Sequence, residues 1–176
     1  MAFAAQFIYV VGAPIIVVDL LGLGERDFWV LFVPMIAGVA IGAWLSGRLA
    51  HRMARRAIID LSMSVLLASA AANIVLALAA PRLPFAVVGV FLIAFAIAIA
   101  FPVLQLEILD LFPTHRGTAA SVGTFASLVF NAVLAGLIVA LVTATLLSTA
   151  LAAAGFTVLA VLLWVWHRRA TEETVV

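Results

Sequence analysis

Gly47-Arg-Leu-Ala-His-Arg-Met-Ala-Arg-Arg56 sets four arginines between two long apolar runs, Phe28 to Ala50 and Ala57 to Ala80. A helix rises about 1.5 Å per residue and a bilayer core is about 30 Å thick, so roughly 20 mostly apolar residues make one crossing. Both runs are long enough, and the basic segment between them reads as a loop at the membrane surface. Reading outward, four further runs qualify: Phe3 to Leu23, Phe85 to Leu106, Thr118 to Leu141 and Leu146 to Trp166. The breaks between them carry turn or charge signals, at Gly22 to Asp27, Pro81 to Pro84, Phe112 to Gly117 and, weakly, Thr143 to Thr145.

Composition agrees. Of 176 residues 68% are hydrophobic and 10% charged, with a mean hydropathy of +1.36, where soluble domains average about 45–50% apolar and about 25% charged. The net charge of +1, with basic residues held in short interhelical clusters, argues against nucleic acid as a partner. All nine basic residues are arginine, which with the abundant alanine points to a GC-rich bacterial genome and so to a bacterial inner membrane. Cysteine is absent, which excludes disulfides, thiolate metal ligands and a cysteine nucleophile. Met1 runs at once into apolar residues with no basic leader, so no cleavable signal peptide is expected.

Arginine placement orients the chain. Seven arginines (Arg48, Arg52, Arg55, Arg56, Arg116, Arg168 and Arg169) follow the second, fourth and sixth runs, against two (Arg26 and Arg82) after the first and third. The positive-inside rule then puts both termini in the cytoplasm. Trp29, Trp44, Trp164 and Trp166 fall near span ends, where amphipathic rings favour the headgroup zone. The expected fold is an all-α membrane protein with a six-helix bundle over residues 1–170 and a short cytoplasmic tail over 171–176.

The decapeptide resembles the loop signature of the major facilitator superfamily, Gly-x-Leu-Ala-Asp-Arg-x-Gly-Arg-Lys/Arg. Gly47, Leu49, Ala50, Arg52, Arg55 and Arg56 are in place, with His51 and Ala54 departing from it. These departures resemble the degraded second copy between helices eight and nine. Leu109-Asp-Leu-Phe-Pro-Thr-His-Arg-Gly-Thr-Ala-Ala-Ser121, followed by Gly123, is similar to the segment joining helices ten and eleven of Bcr/CflA-type drug:proton antiporters. Tyr9, Pro14, Asp19 and Gly22 resemble their seventh helix. The resemblance covers residues 1 to 170 and implies the C-terminal six-helix half of a twelve-helix transporter, built as two inverted three-helix repeats. It also implies proton-coupled efflux of drugs or small organic compounds, with protons, a small-molecule substrate and an N-terminal six-helix half or a second copy as partners.

Prolines at matching positions of two triplets mark substrate sites in such inverted-repeat transporters. Gly12-Ala-Pro14 and Phe101-Pro102 occupy the first helix of each triplet here. A proline removes a backbone hydrogen bond and can kink its helix, although membrane helices also tolerate proline without such a role. Gly38, Gly42, Ala43 and Ser46 form a small-residue stripe suited to close helix packing, within the chain or at a dimer seam.

Few polar residues lie away from the helix ends. By resemblance, Gln6, Tyr9, Phe95, Phe125 and Asn131 border the wall of a substrate cavity; interhelical packing bonds are the competing reading, and Asn73 is assigned to packing. Proton coupling needs a carboxylate that can cycle its charge in a shielded site. The candidates are Asp19, Asp60, Glu107 and Asp110, none of them near mid-bilayer; Asp19 is the best local proton site, the family's coupling carboxylate tending to sit in the other half. Spacing pairs Asp60 with Arg56. The resemblance pairs Arg52 with Asp110 or Glu107 in a cytoplasmic gate latch, against a static solvated pair, with Arg116 and Gly117 opening the next helix as a hinge or a plain turn.

No enzyme site emerges. His51, His115 and His167 sit in separate loops without metal-ligand spacing, and there is no phosphate-binding glycine loop, so neither metal nor cofactor is expected. Two function classes stand: a secondary active exporter of which this is the C-terminal half, and a non-transporting membrane module, either a remnant or a pairing partner.

Overall fold

A computed structural model describes residues 2–24, 26–79 and 85–173. All regular structure in them is helical: α1 (Ala2–Val11), α2 (Trp29–Ala50), α3 (Arg55–Ala79), α4 (Phe85–Leu111), α5 (Arg116–Val133), α6 (Val139–Val142) and α7 (Leu146–Glu173). Five helical stretches are long and apolar enough to cross a membrane, those of α2, α3, α4, α5 with its extension, and α7. The chain is therefore a multi-pass membrane protein by length and composition.

The first expected span departs from a plain helix. After α1 the chain makes a turn at Gly12 and then a wide π-helical stretch, Ile15–Leu20. Pro14 stands at the head of that stretch, where it offers no N–H to the Val10 carbonyl and separates the wide turns from α1. The amides of Leu21 and Leu23 accordingly reach back to the carbonyls of Ile16 and Val17, each 3.0 Å away. The fifth span also widens, into a π stretch at Leu134–Ile138 before α6. The fourth expected span stops at Leu106, whereas α4 continues to Leu111 through Glu107 and Asp110. Leaving the hydrocarbon ends the need for apolar side chains without ending the helix. For the same reason α7 carries on to Glu173, so that residues 171–173 of the expected tail are helical. The turn containing Arg82, Pro81 to Pro84, and the last residues 174–176 lie outside the described residues.

The small-residue stripe forms the main seam, and it is intramolecular. A Cβ on Gly38 would lie 2.6 Å from the Phe91 carbonyl oxygen, and one on Gly42 would lie 2.4 Å from that of Phe95. One turn further on, Ser46 Oγ donates to the Ile99 carbonyl at 2.8 Å. Every contact joins residues 53 apart, a constant offset that makes α2 and α4 parallel. They are linked by α3, which returns along another side of α4 and antiparallel to it: Ser69 Oγ lies 3.3 Å from the Leu92 carbonyl, and Asn73 sits against Gly89. Backbones can approach this closely only where no Cβ intervenes.

Up-and-down order collects the α2–α3 turn, the α4–α5 turn and the C-terminal end of α7 at one end of the bundle, with seven arginines. The core beneath that end is Ile58, Ile59, Met63, Ile99 and Val103. A larger core toward the other end joins Tyr9, Ile16, Leu31, Leu66 and Ile93. Trp29, Trp44 and Trp166 are exposed, with Trp44 stacked under the Arg48 guanidinium 4.2 Å from its ring centre.

Candidate functional site

One helix is left bare. None of the residues of α5 is buried, although its polar side chains are those of a helix that meets something. Ser121, Thr124 and Ser127 each donate to the carbonyl four residues earlier, at 2.9 to 3.0 Å. This satisfies their hydrogens and leaves oxygen lone pairs on the helix surface.

Between α5, α4 and the start of α1 runs a groove of about 260 Å³, lined among others by Phe3, Phe101, Gln105, Thr124, Ser127 and Asn131. On the other side of Phe3 and Phe101 lies a cavity of about 340 Å³ bounded by α1, α2 and α4, into which Gln6 and Pro102 face. The two rings, 6.3 Å apart between centres, form the partition. Among the described residues the side-chain amides of Gln6, Gln105 and Asn131 make no hydrogen bond. In hydrocarbon such groups are costly, so each calls for water, a ligand or another chain.

Of the five residues expected on a cavity wall, Asn131 lines the groove and Gln6 the neighbouring cavity. Tyr9 is instead buried, its hydroxyl accepting a hydrogen bond from the Asn73 amide. Phe95 stacks on Phe91 along the α2–α4 seam, 6.3 Å between ring centres. Phe125 is 69% exposed on the outside of α5. Gln105 escaped the sequence reading because it falls next to the expected end of the fourth span. Its signal was there: it is the only glutamine besides Gln6, three residues after Pro102 in an apolar run. Of the helix-break residues, Gly12 packs its bare Cα against Thr143, whose methyl would stand 2.7 Å from a Cβ there. Pro102 lies inside α4 without ending it.

The ion pairs differ from those expected. Asp110 is held by Arg55 and, at 3.2 Å, by Arg116. Arg52 and Glu107 make no ion pair among the described residues. Helix phase explains the choice, since Arg55 opens α3 on the face that meets α4 while Arg52 sits in the turn before it. Asp60 does not take Arg56, its neighbour by spacing. It accepts Trp164 Nε1 at 2.7 Å and pairs with Arg168 at 3.0 Å, tying α3 to α7. Asp19 is exposed, in the π stretch after α1 and away from both cavities.

The chain matches no protein-family model, no curated protein and no solved structure.

Proposed function

We propose that this chain is the C-terminal six-helix half of a secondary active exporter, moving small organic compounds out of a bacterial cell against a flow of protons. The observation that carries the reading is the groove between α1, α4 and α5, where Gln105, Ser127 and Asn131 face a space that none of the described residues fills. A wall with polar groups at membrane depth and an unburied helix beside it is what half of a central transport pathway needs, because the opposite wall comes from elsewhere. The helical run through Pro14, together with Pro102 in α4, gives broken or weakened helices at the start of each triplet of an inverted repeat.

The arginine-rich end faces the cytoplasm on this reading, by the positive-inside rule. Asp110 between Arg55 and Arg116 then lies where the inner gate must open. Rocking of the two halves opens that end between this chain and its partner half, while Arg55 and Arg116 on Asp110 hold the inner ends of α3, α4 and α5 together as one unit. Substrate enters the groove from the cytoplasm or inner leaflet and leaves outward. The coupling carboxylate belongs to the partner half, with Asp19 as the local candidate.

The absence of cysteine makes the test direct. Single cysteines at Gln105, Ser127 and Asn131 in membranes should react with a water-soluble maleimide, and one at Leu128, which is exposed but outside the groove lining, should not. Equal reactivity at Leu128, or none at the three groove positions, rejects a water-filled pathway there.

A further inference from the structure

We propose that the cavity bounded by α1, α2 and α4 is a binding pocket for compounds with an apolar ring body and a hydrogen-bond donor, read by the Gln6 carboxamide and the Ala98 carbonyl. The pocket deepens the exporter reading, resting on it only for the idea that the occupant is a transported compound.

Gln6 is only 7% exposed, yet its side chain makes no hydrogen bond among the described residues. Among the described residues no buried polar side-chain atom is sealed off without a partner, so the Gln6 amide opens to the space beside it. That space is the cavity of about 340 Å³. Pro102 frees a second polar group in the same stretch of α4. Lacking an N–H, it leaves the carbonyl one turn earlier, that of Ala98, without its helical donor. Ala98 and Pro102 both line the cavity.

The remaining surface selects the body of the ligand. Phe3 and Phe101 offer ring faces and edges, and Ala43 and Ala98 leave room between α2 and α4. Among the described residues no charged side chain lines the cavity, so recognition by them is by hydrogen bonding rather than by ion pairing. The Gln6 carboxamide can accept or donate whereas the orphaned carbonyl can only accept, so a ligand that brings an O–H or N–H satisfies both and an ether or ester of the same shape leaves the carbonyl unsatisfied.

The test uses 2-naphthol and 2-methoxynaphthalene, which share a ring body and differ in the donor, titrated into the full chain in lipid nanodiscs against empty nanodiscs. The chain should bind 2-naphthol saturably and roughly three- to tenfold more tightly than the ether, the worth of one or more net hydrogen bonds. Pro102→Ala should narrow that preference, Gln6→Leu should weaken binding of both probes, and the double variant should bring the probes level. Pro102→Ala restores the helical donor to Ala98, so it removes the acceptor while favouring the helix. Ala43→Phe should fill the space and abolish saturable binding of both probes. Equal binding of the two probes by the unaltered chain, or a preference that survives the double variant, overturns the pocket. If the preference is found and no partner half ever yields proton-driven transport, the pocket stands and the exporter reading falls; transport without the preference has the opposite meaning.

Discussion

The Asn73 side-chain amide donates to the Tyr9 hydroxyl, joining α3 to α1 inside the bundle. Asn73 is pressed there by the bare Cα of Gly89, where a Cβ would lie 2.0 Å from Asn73 Oδ1. Tyr9→Phe should therefore cost about 1 kcal/mol, the penalty of a buried amide that loses its partner, tempered because polar groups in membranes often find substitutes. Gly89→Ala should cost at least as much by displacing Asn73. Unfolding in detergent mixtures should show the two changes to be less than additive, since both break the same contact.

The α2–α4 seam predicts a sharp contrast between two glycines of one helix. Gly42→Ala places a methyl on the Phe95 backbone and should destabilise by about 1–3 kcal/mol. Gly47 has nothing within 4 Å of its Cβ position. Gly47→Ala should be neutral or stabilising by up to about 1 kcal/mol through helix propensity. Thermal unfolding of the two purified variants reads the difference.

Asp60 bonds Trp164 and Arg168 at once, and the two contacts can be separated. Asp60→Asn keeps an acceptor for the indole N–H and loses the charge, so it should leave the Trp164 emission nearly unchanged. Asp60→Leu removes both, should shift that emission, and should cost about 1 kcal/mol from the lost indole bond. Exposed ion pairs contribute little, so an equal loss of stability in the two variants contradicts this apportioning.

Five spans were legible in the sequence because length and hydropathy alone decide them, and the Gly38, Gly42 and Ser46 stripe announced a close seam. Its partner was not legible, because nothing local says that α2 meets α4 rather than α3. The same holds for the charges. Four-residue spacing offers Arg56 to Asp60, but the groups that hold Asp60 are 104 and 108 residues away. Asn73, which the sequence assigns to packing, and Tyr9, which the resemblance assigns to a cavity wall, are partners in one hydrogen bond. A polar side chain at membrane depth must be satisfied, and the sequence cannot say whether by a neighbour or by a cavity. Gln105 was hidden because the span end was set at the first charges, and the helix outruns them.

The Arg55–Asp110 pair makes the gate testable by exchange. With a functional partner half present, Arg55→Asp and Asp110→Arg should each depress transport, and the double exchange should restore much of it once Arg116, which also pairs with Asp110, is replaced by Gln in every variant. Arg52→Ala should depress it less than Arg55→Ala, because Arg52 makes no ion pair among the described residues. Failure of the exchange to rescue would remove the pair from the gate.

Proton-driven uptake into inverted membrane vesicles tests the central claim most directly. Vesicles carrying this chain together with the N-terminal six-helix half of a drug:proton antiporter should accumulate ethidium when the interior is acidified, and an uncoupler should abolish it. Vesicles with either half alone should not. No accumulation by the paired halves, both shown to be inserted and associated, would contradict the account and favour a non-transporting membrane module.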